Sequence, residues 1–206
     1  MTILIIARHG NTFGPGDTPT RVGGRTDLPL VGKGEEQAKA IGRYLSANRL
    51  IPDVVYSSKL QRTNQTAKIA VKESGVTNPV FELDIFNEID YGPDENQTED
   101  KVIARIGEDA IKDWDEHAKV PDGWKVDPNE IIKNWQKFAD QICAFDDNET
   151  VLVVTSNGIA RFAPYITGDF ESFRAEHDIK LSTGALAILK HENGSGWRVE
   201  AWNVKP

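Results

Sequence analysis

The stretch of the chain richest in reactive side chains is Arg8-His9-Gly10-Asn11-Thr12, a cation, an imidazole, a residue without side-chain bulk and two small polar residues in a row. An imidazole is nucleophilic near neutral pH, and a guanidinium fork stays charged and matches the oxygens of a phosphate. A second polar turn, Thr155-Ser156-Asn157-Gly158, opens a stretch read as helical, so it offers backbone N–H groups and a positive dipole end to an anion. At a third place Ser57-Ser58 is followed, about one helical turn later, by Arg62. Together these residue types describe a device for holding a tetrahedral anion. Taken singly, His9 reads equally well as a satisfied core histidine, and each arginine as half of a surface ion pair.

Each polar turn follows a short apolar run, and those runs are the elements that must position it. Ile3–Ala7 is nearly continuous in apolar residues, as expected for a strand buried on both faces. Asp53-Val54-Val55-Tyr56 and Val151–Val154 repeat the pattern. Between them, Gly34–Asn48 places Ala38, Ile41 and Leu45 on one helical face, and Leu60–Glu73 does so with Leu60, Ala67, Ile69 and Ala70. Strands alternating with helices predict an α/β fold, a three-layer α/β/α sandwich around a mostly parallel sheet. In such sheets ligands collect outside the carboxyl ends of the strands, where all three polar turns lie. Residues from about 96 to 146 read as a mostly helical insertion broken near Pro121, Gly123 and Pro128, either a lid or padding. Ala185–Lys190 and Trp197–Asn203, around Asn193-Gly194-Ser195-Gly196, predict an antiparallel hairpin at the sheet edge.

Bulk properties narrow the partners. A length of 206 residues suits one domain, 1–206, with a full core. The formal net charge of -8 argues against nucleic acid or an anionic membrane as a partner, since both require basic patches. Cys143 is the only cysteine, which rules out an internal disulfide and disfavours a cysteine zinc site; its helical surroundings predict a packed thiol. The apolar N-terminus is interrupted by Arg8 after about one strand, too short for a membrane span or signal peptide, so a cytoplasmic location is expected.

Arg8-His9-Gly10-Asn11-Thr12, then Asp27-Leu28-Pro29-Leu30 with Gly34 and Gln37-Ala38, then Ser57-Ser58-x-Leu60-x-Arg62-Thr63 with Thr66-Ala67, then Phe86-Asn87-Glu88-Ile89-Asp90-Tyr91-Gly92, follow one another in an order and spacing that resemble the histidine phosphatase superfamily. The likeness runs from residue 3 to about 92 and again from 150 to the end. It implies a phosphoglycerate mutase-like fold and hydrolysis of a phosphate monoester through a phosphohistidine at His9, without cofactor or metal. By the same resemblance Arg8 and Arg62 clamp the phosphoryl oxygens, and Asn11 either donates to them or caps a turn. Glu88 protonates the leaving alkoxide and then activates water, with Glu82, Asp84, Asp90 and Glu95 as rivals for that role. The implied substrate is a phosphorylated small molecule or a phosphoprotein, with no oligomeric state implied.

Two departures bear on activity. The family's second histidine falls on Ser156, and the loss of one preorganised donor of that kind costs about 3–4 kcal/mol of transition-state stabilisation. Ser156 and Asn157 can still donate, though neither is a cation. The segment after Thr12 lacks the family's tryptophan and carries Gly14, Pro15, Gly16 and Pro19, which leaves Arg21, Gly24 and Arg25 as candidate substrate contacts or solvated loop residues. The expectation is therefore an enzyme, with a phospho-ligand binding module as the alternative and a phosphoglycerate mutase behind both.

Overall fold

The computed structural model describes residues 1–145 and 149–206. Strand β1 (Thr2–Arg8) leads to helix α1 (Gly32–Ala47), β2 (Val54–Ser57), α2 (Gln61–Glu73) and a short β3 (Val80–Glu82). Helices α3 (Glu99–Ile106), α4 (Glu108–His117) and α5 (Pro128–Phe145) form the insertion. Then come β4 (Thr150–Thr155), the single turn α6 (Asn157–Ala160), α7 (Phe170–Glu176), β5 (Leu186–Glu192) and β6 (Gly196–Val204). The expected end of the insertion at 146 lies outside the described residues.

The strands form one sheet in the order β3-β2-β4-β1-β5-β6. β3, β2, β4 and β1 pair in parallel, β5 runs antiparallel to β1, and β6 antiparallel to β5. This is the mostly parallel sheet expected, closed at one edge by the C-terminal hairpin, whose turn carries Gly194 and Gly196 at φ of 87° and 74°.

The continuous apolar runs are explained by two cores, one on each face of the sheet. Leu4, Ile6, Val151 and Val153 point into a core shared with Trp135, Phe138 and Ile142 of α5. Their neighbours Ile5, Ala7, Leu152 and Val154 point the other way, against Ile41 and Leu45 of α1 and Ala67 and Ala70 of α2. Strand alternation thus places helices on both faces and completes the three layers. No helix among the described residues is long and apolar enough to cross a membrane.

Three details depart from the sequence-based expectations. β3 is only three residues long and leaves Phe81 50% exposed, too weak a pattern to read. The helical stretch after Gly158 is one α turn followed by a 3₁₀ turn, Ala163–Thr167. Cys143 is half-buried on α5 rather than packed in the core.

Register is what matters for the site. Arg8 lies opposite Thr155, and Ser57 opposite Val154, so β1, β4 and β2 end level. His9 N–H continues the ladder by donating to the Thr155 carbonyl at 3.1 Å, which sets Ser156 beside His9.

Candidate active site

His9 sits at the first residue past β1, and it is buried. Its Nδ1 lies 2.8 Å from the Gly10 carbonyl oxygen. A carbonyl only accepts, so Nδ1 carries the proton and Nε2 keeps its lone pair. Burial, reinforced by the charges of Arg62 and Arg8, holds the imidazole well below its usual pKa, so the ring is neutral at physiological pH. The turn that presents it is packed too tightly for side chains. A Cβ on Gly10 would meet the Gly34 carbonyl oxygen at 2.3 Å, and one on Gly34 would meet the Asn11 carbonyl oxygen at 2.2 Å. Gly10 N–H donates to Thr66 Oγ1 and Asn11 N–H to Gln37 Oε1, which ties the turn to α2 and α1.

The acidic loop is fixed by Thr155 Oγ1, which donates to the Phe86 carbonyl at 2.8 Å, and by Phe86 packing on Trp135 and Phe138. Two residues on, Glu88 turns its buried carboxyl into the same cleft as His9. Ile89 N–H donates to its Oε1 at 2.9 Å and Gly158 N–H to its Oε2 at 3.3 Å. Burial raises its pKa, against the opposing pull of those N–H groups and of Arg62 and Arg8. The rival carboxylates have other partners. Glu82 accepts from Asn64, Asp84 pairs with Lys59 and Asp90 with Arg25. Glu95 gathers the N–H groups of Gly23, Arg25 and Tyr91 and the hydroxyl of Thr26. None of the four lines the cleft.

The cleft has a volume of about 530 Å³, room for a small phosphorylated molecule. Arg8 lines it, donating through one terminal nitrogen to the Leu181 carbonyl at 2.8 Å. Arg62 is fully buried behind the wall, where it donates to the carbonyls of Thr26 and Gly23 at 2.8 and 3.2 Å. It does not line the cleft, yet its charge bears on both His9 and Glu88. Asn11 and Asn157 line the cleft; Asn157 Oδ1 accepts from Leu181 N–H at 2.8 Å, which leaves its amide N–H₂ to the cleft. Ser156 is fully buried and is not in the wall. Its Oγ has no hydrogen-bond partner, and neither do the buried Nε atoms of Arg8 and Arg62.

Of the loop candidates, Arg21 lines the cleft and Gly24 and Arg25 do not. Arg25 is held outside by Asp90 at 3.0 Å and the Gly92 carbonyl at 2.6 Å. Gly24 has a packing role, since a Cβ there would come within 2.5 Å of the Glu88 carbonyl oxygen. Neither His117, His177 nor His191 reaches the cleft. Sequence reasoning passed over Arg161, which is 1% exposed, lines the cleft and lies 4.1 Å above the Trp114 ring. The signal was its position four residues after Asn157, whose carbonyl accepts from Arg161 Nε at 3.2 Å. Tyr91, Glu99, Trp114, Asp115 and Lys180 also line the cleft unannounced, contributed largely by the insertion.

Comparison with known proteins places this geometry. A sequence model of the histidine phosphatase superfamily (branch 1) matches residues 4–205. The 2,3-bisphosphoglycerate-dependent phosphoglycerate mutase of Tropheryma whipplei (strain Twist) is 33% identical over 115 residues, 55% of this chain and 51% of that protein. The chain thus aligns with about half the length of the curated relatives it first matches. Among solved structures, mycobacterial glucosyl-3-phosphoglycerate phosphatase superposes with a TM-score of 0.78 at 18% identity over 99% of both chains. Phosphoserine phosphatase from Entamoeba histolytica, in complex with 3-phosphoglyceric acid, gives 0.73 at 22% identity over 98% of this chain and 97% of that one. At such identities the superpositions speak for the fold. With that fold shared end to end and a sequence match from residue 4 to 205, the chain belongs to the histidine phosphatase superfamily.

Proposed function

We propose that the protein is a phosphatase that hydrolyses phosphate monoesters through a phosphohistidine at Nε2 of His9. The observation that carries this reading is that two buried groups share one cleft: an imidazole whose Nε2 keeps its lone pair because Nδ1 donates to the Gly10 carbonyl, and a carboxyl whose hold on a proton burial strengthens. That is the state a nucleophile and a general acid need before they act.

In the first step Nε2 attacks phosphorus, the P–N bond forms and the ester P–O bond breaks. Glu88 gives its proton to the departing alkoxide. In the second step water attacks phosphorus, Glu88 takes a proton from it, the P–N bond breaks and His9 returns neutral with release of phosphate. Arg8 lies in the wall and Arg62 behind it, and their charges offset the phosphoryl oxygens in a site sheltered from water. The buried Nε atoms of the two arginines and Ser156 Oγ have no hydrogen-bond partner, and they lie behind the wall that the phosphoryl group would meet. Asn157 adds its amide, and Asn11 stands beside His9. No metal enters either step.

The test is covalent trapping. Acetyl phosphate is expected to leave an acid-labile, base-stable phosphoryl group on the protein, seen as the corresponding mass increase, and His9→Ala is expected to abolish both the label and turnover of p-nitrophenyl phosphate. Protein that neither takes the label nor turns over aryl phosphate would instead be a phospho-ligand binding module.

A further inference from the structure

The cleft that holds His9 is lined by cations, but not by cations alone. The insertion contributes carboxylates there, Glu99 at the start of α3 and Asp115 on α4. Each of three further cations in the wall has a carboxylate beside it, although the buried Nε of Arg21 keeps no hydrogen-bond partner. Arg21 pairs with Glu99 at 2.6 Å and is pinned over the rings of Tyr91 and Trp124 at 5.5 and 5.2 Å. Lys180 pairs with Asp115 at 2.8 Å. Arg161 has Asp115 at 3.8 Å and donates through Nε and one Nη to the carbonyls of Asn157 and Trp114. A second anion entering the cleft would have to break one of these pairs and then sit beside the displaced carboxylate, with a Coulomb penalty that surface solvation only partly relieves. A hydroxyl faces no such obstacle. Glu99 is 56% exposed and Asp115 33%, and both offer acceptor oxygens to an O–H donor.

Building on the phosphatase reading, we propose that the cleft accepts a single anion, so that its substrates are phosphate monoesters of uncharged, hydroxyl-bearing alcohols rather than phosphorylated carboxylic acids or bisphosphates. Arg161, Lys180 and Arg21 then act as positioning residues that hold Asp115 and Glu99 toward the leaving group.

A matched pair of ligands tests it. Glycerol 3-phosphate and 3-phosphoglycerate differ by a hydroxymethyl group in place of a carboxylate. Calorimetry on His9→Ala, which cannot turn either over, is expected to show glycerol 3-phosphate binding at least about tenfold more tightly. Adding Asp115→Asn frees Lys180 and is expected to narrow that ratio about tenfold, with Glu99→Gln acting in the same direction through Arg21. Equal or tighter binding of 3-phosphoglycerate, or a ratio that neither substitution moves, overturns the proposal. Turnover of p-nitrophenyl phosphate by the unaltered chain reports separately on the phosphatase reading. Turnover with an indifferent ratio, or with neither ligand bound, removes only the rim proposal, the expected ratio without turnover removes only the hydrolysis, and absence of both binding and turnover removes both.

Discussion

Gly158→Ala tests the proposed general acid, Glu88, without replacing it. A Cβ on Gly158 would lie 2.2 Å from Glu88 Oε1, 3.0 Å from its carboxyl carbon and 2.9 Å from Ile89 Cγ1. The backbone there needs no left-handed conformation, and alanine suits a helical turn better than glycine, so the effect falls on the contact alone. To reach the 3.4 Å of an ordinary contact the carboxylate must withdraw by about 1.2 Å. That displacement also removes the Gly158 N–H···Oε2 bond, already 3.3 Å long. A misplacement of about 1 Å costs about 10²-fold in rate, within the range a general acid supplies. The expected result is a fall of about 10²-fold in kcat/KM for an alkyl phosphate, whose alkoxide needs the proton. For p-nitrophenyl phosphate, whose phenolate leaves unaided, the fall is expected to stay under about tenfold. The melting temperature should drop by several degrees, as for about 1–3 kcal/mol of overpacking. Equal losses on both substrates, or none, would refute the assignment of Glu88 as proton donor.

Acidification should expose the neutral histidine in stability measurements. An unfolded His9 takes up a proton near pH 6.5, whereas burial and the neighbouring arginines make the folded ring refuse it. The stabilisation is therefore complete above about pH 6.5 and lost as pH falls toward the depressed folded value, and His9→Gln should flatten that part of a melting-temperature profile. Glu88 has the opposite sign: its folded pKa is raised, so its contribution is present in acid and fades as pH rises through that value, and Glu88→Gln should melt higher than the unaltered chain in the alkaline range. The insertion has its own keystone in Asp94, which is 2% exposed and accepts from the Arg105 fork and from Trp124 Nε1 at 2.7 Å. Asp94→Ala should lower the unfolding free energy in urea by about 2–3 kcal/mol, less than for a fully buried pair because Arg105 can turn to solvent; a loss below about 1 kcal/mol would contradict the packing described.

Apolar continuity in Ile3–Ala7 and Val151–Val154 made the buried strands legible, because a strand covered on both faces cannot alternate. The motif residues of the site were legible for a related reason: His9, Asn11 and Asn157 follow strands that end level, so their neighbourhood is set by the sheet. What could not be read were the choices made by long-range partners. Arg21 and Arg25 look alike in sequence, and only Asp90 taking Arg25 while Glu99 takes Arg21 decides which one faces the cleft. Ser156 and Asn157 are adjacent polar residues of one turn, yet one is sealed behind the wall and the other lines it. Arg161 and Asp115 meet across some 46 residues, beyond what local pattern conveys.

The double grip on residues 23–26, by Glu95 on their N–H and hydroxyl groups and by Arg62 on their carbonyls, has a consequence for how such a protein diverges. It fixes the end of the loop, while the ten-residue stretch before it lines the cleft and attaches to the insertion through the Thr20–Thr98 bridge and the Arg21–Glu99 pair. The loop and the insertion are thus sewn to each other across the mouth of the cleft. A change in one is therefore expected to call for a matching change in the other.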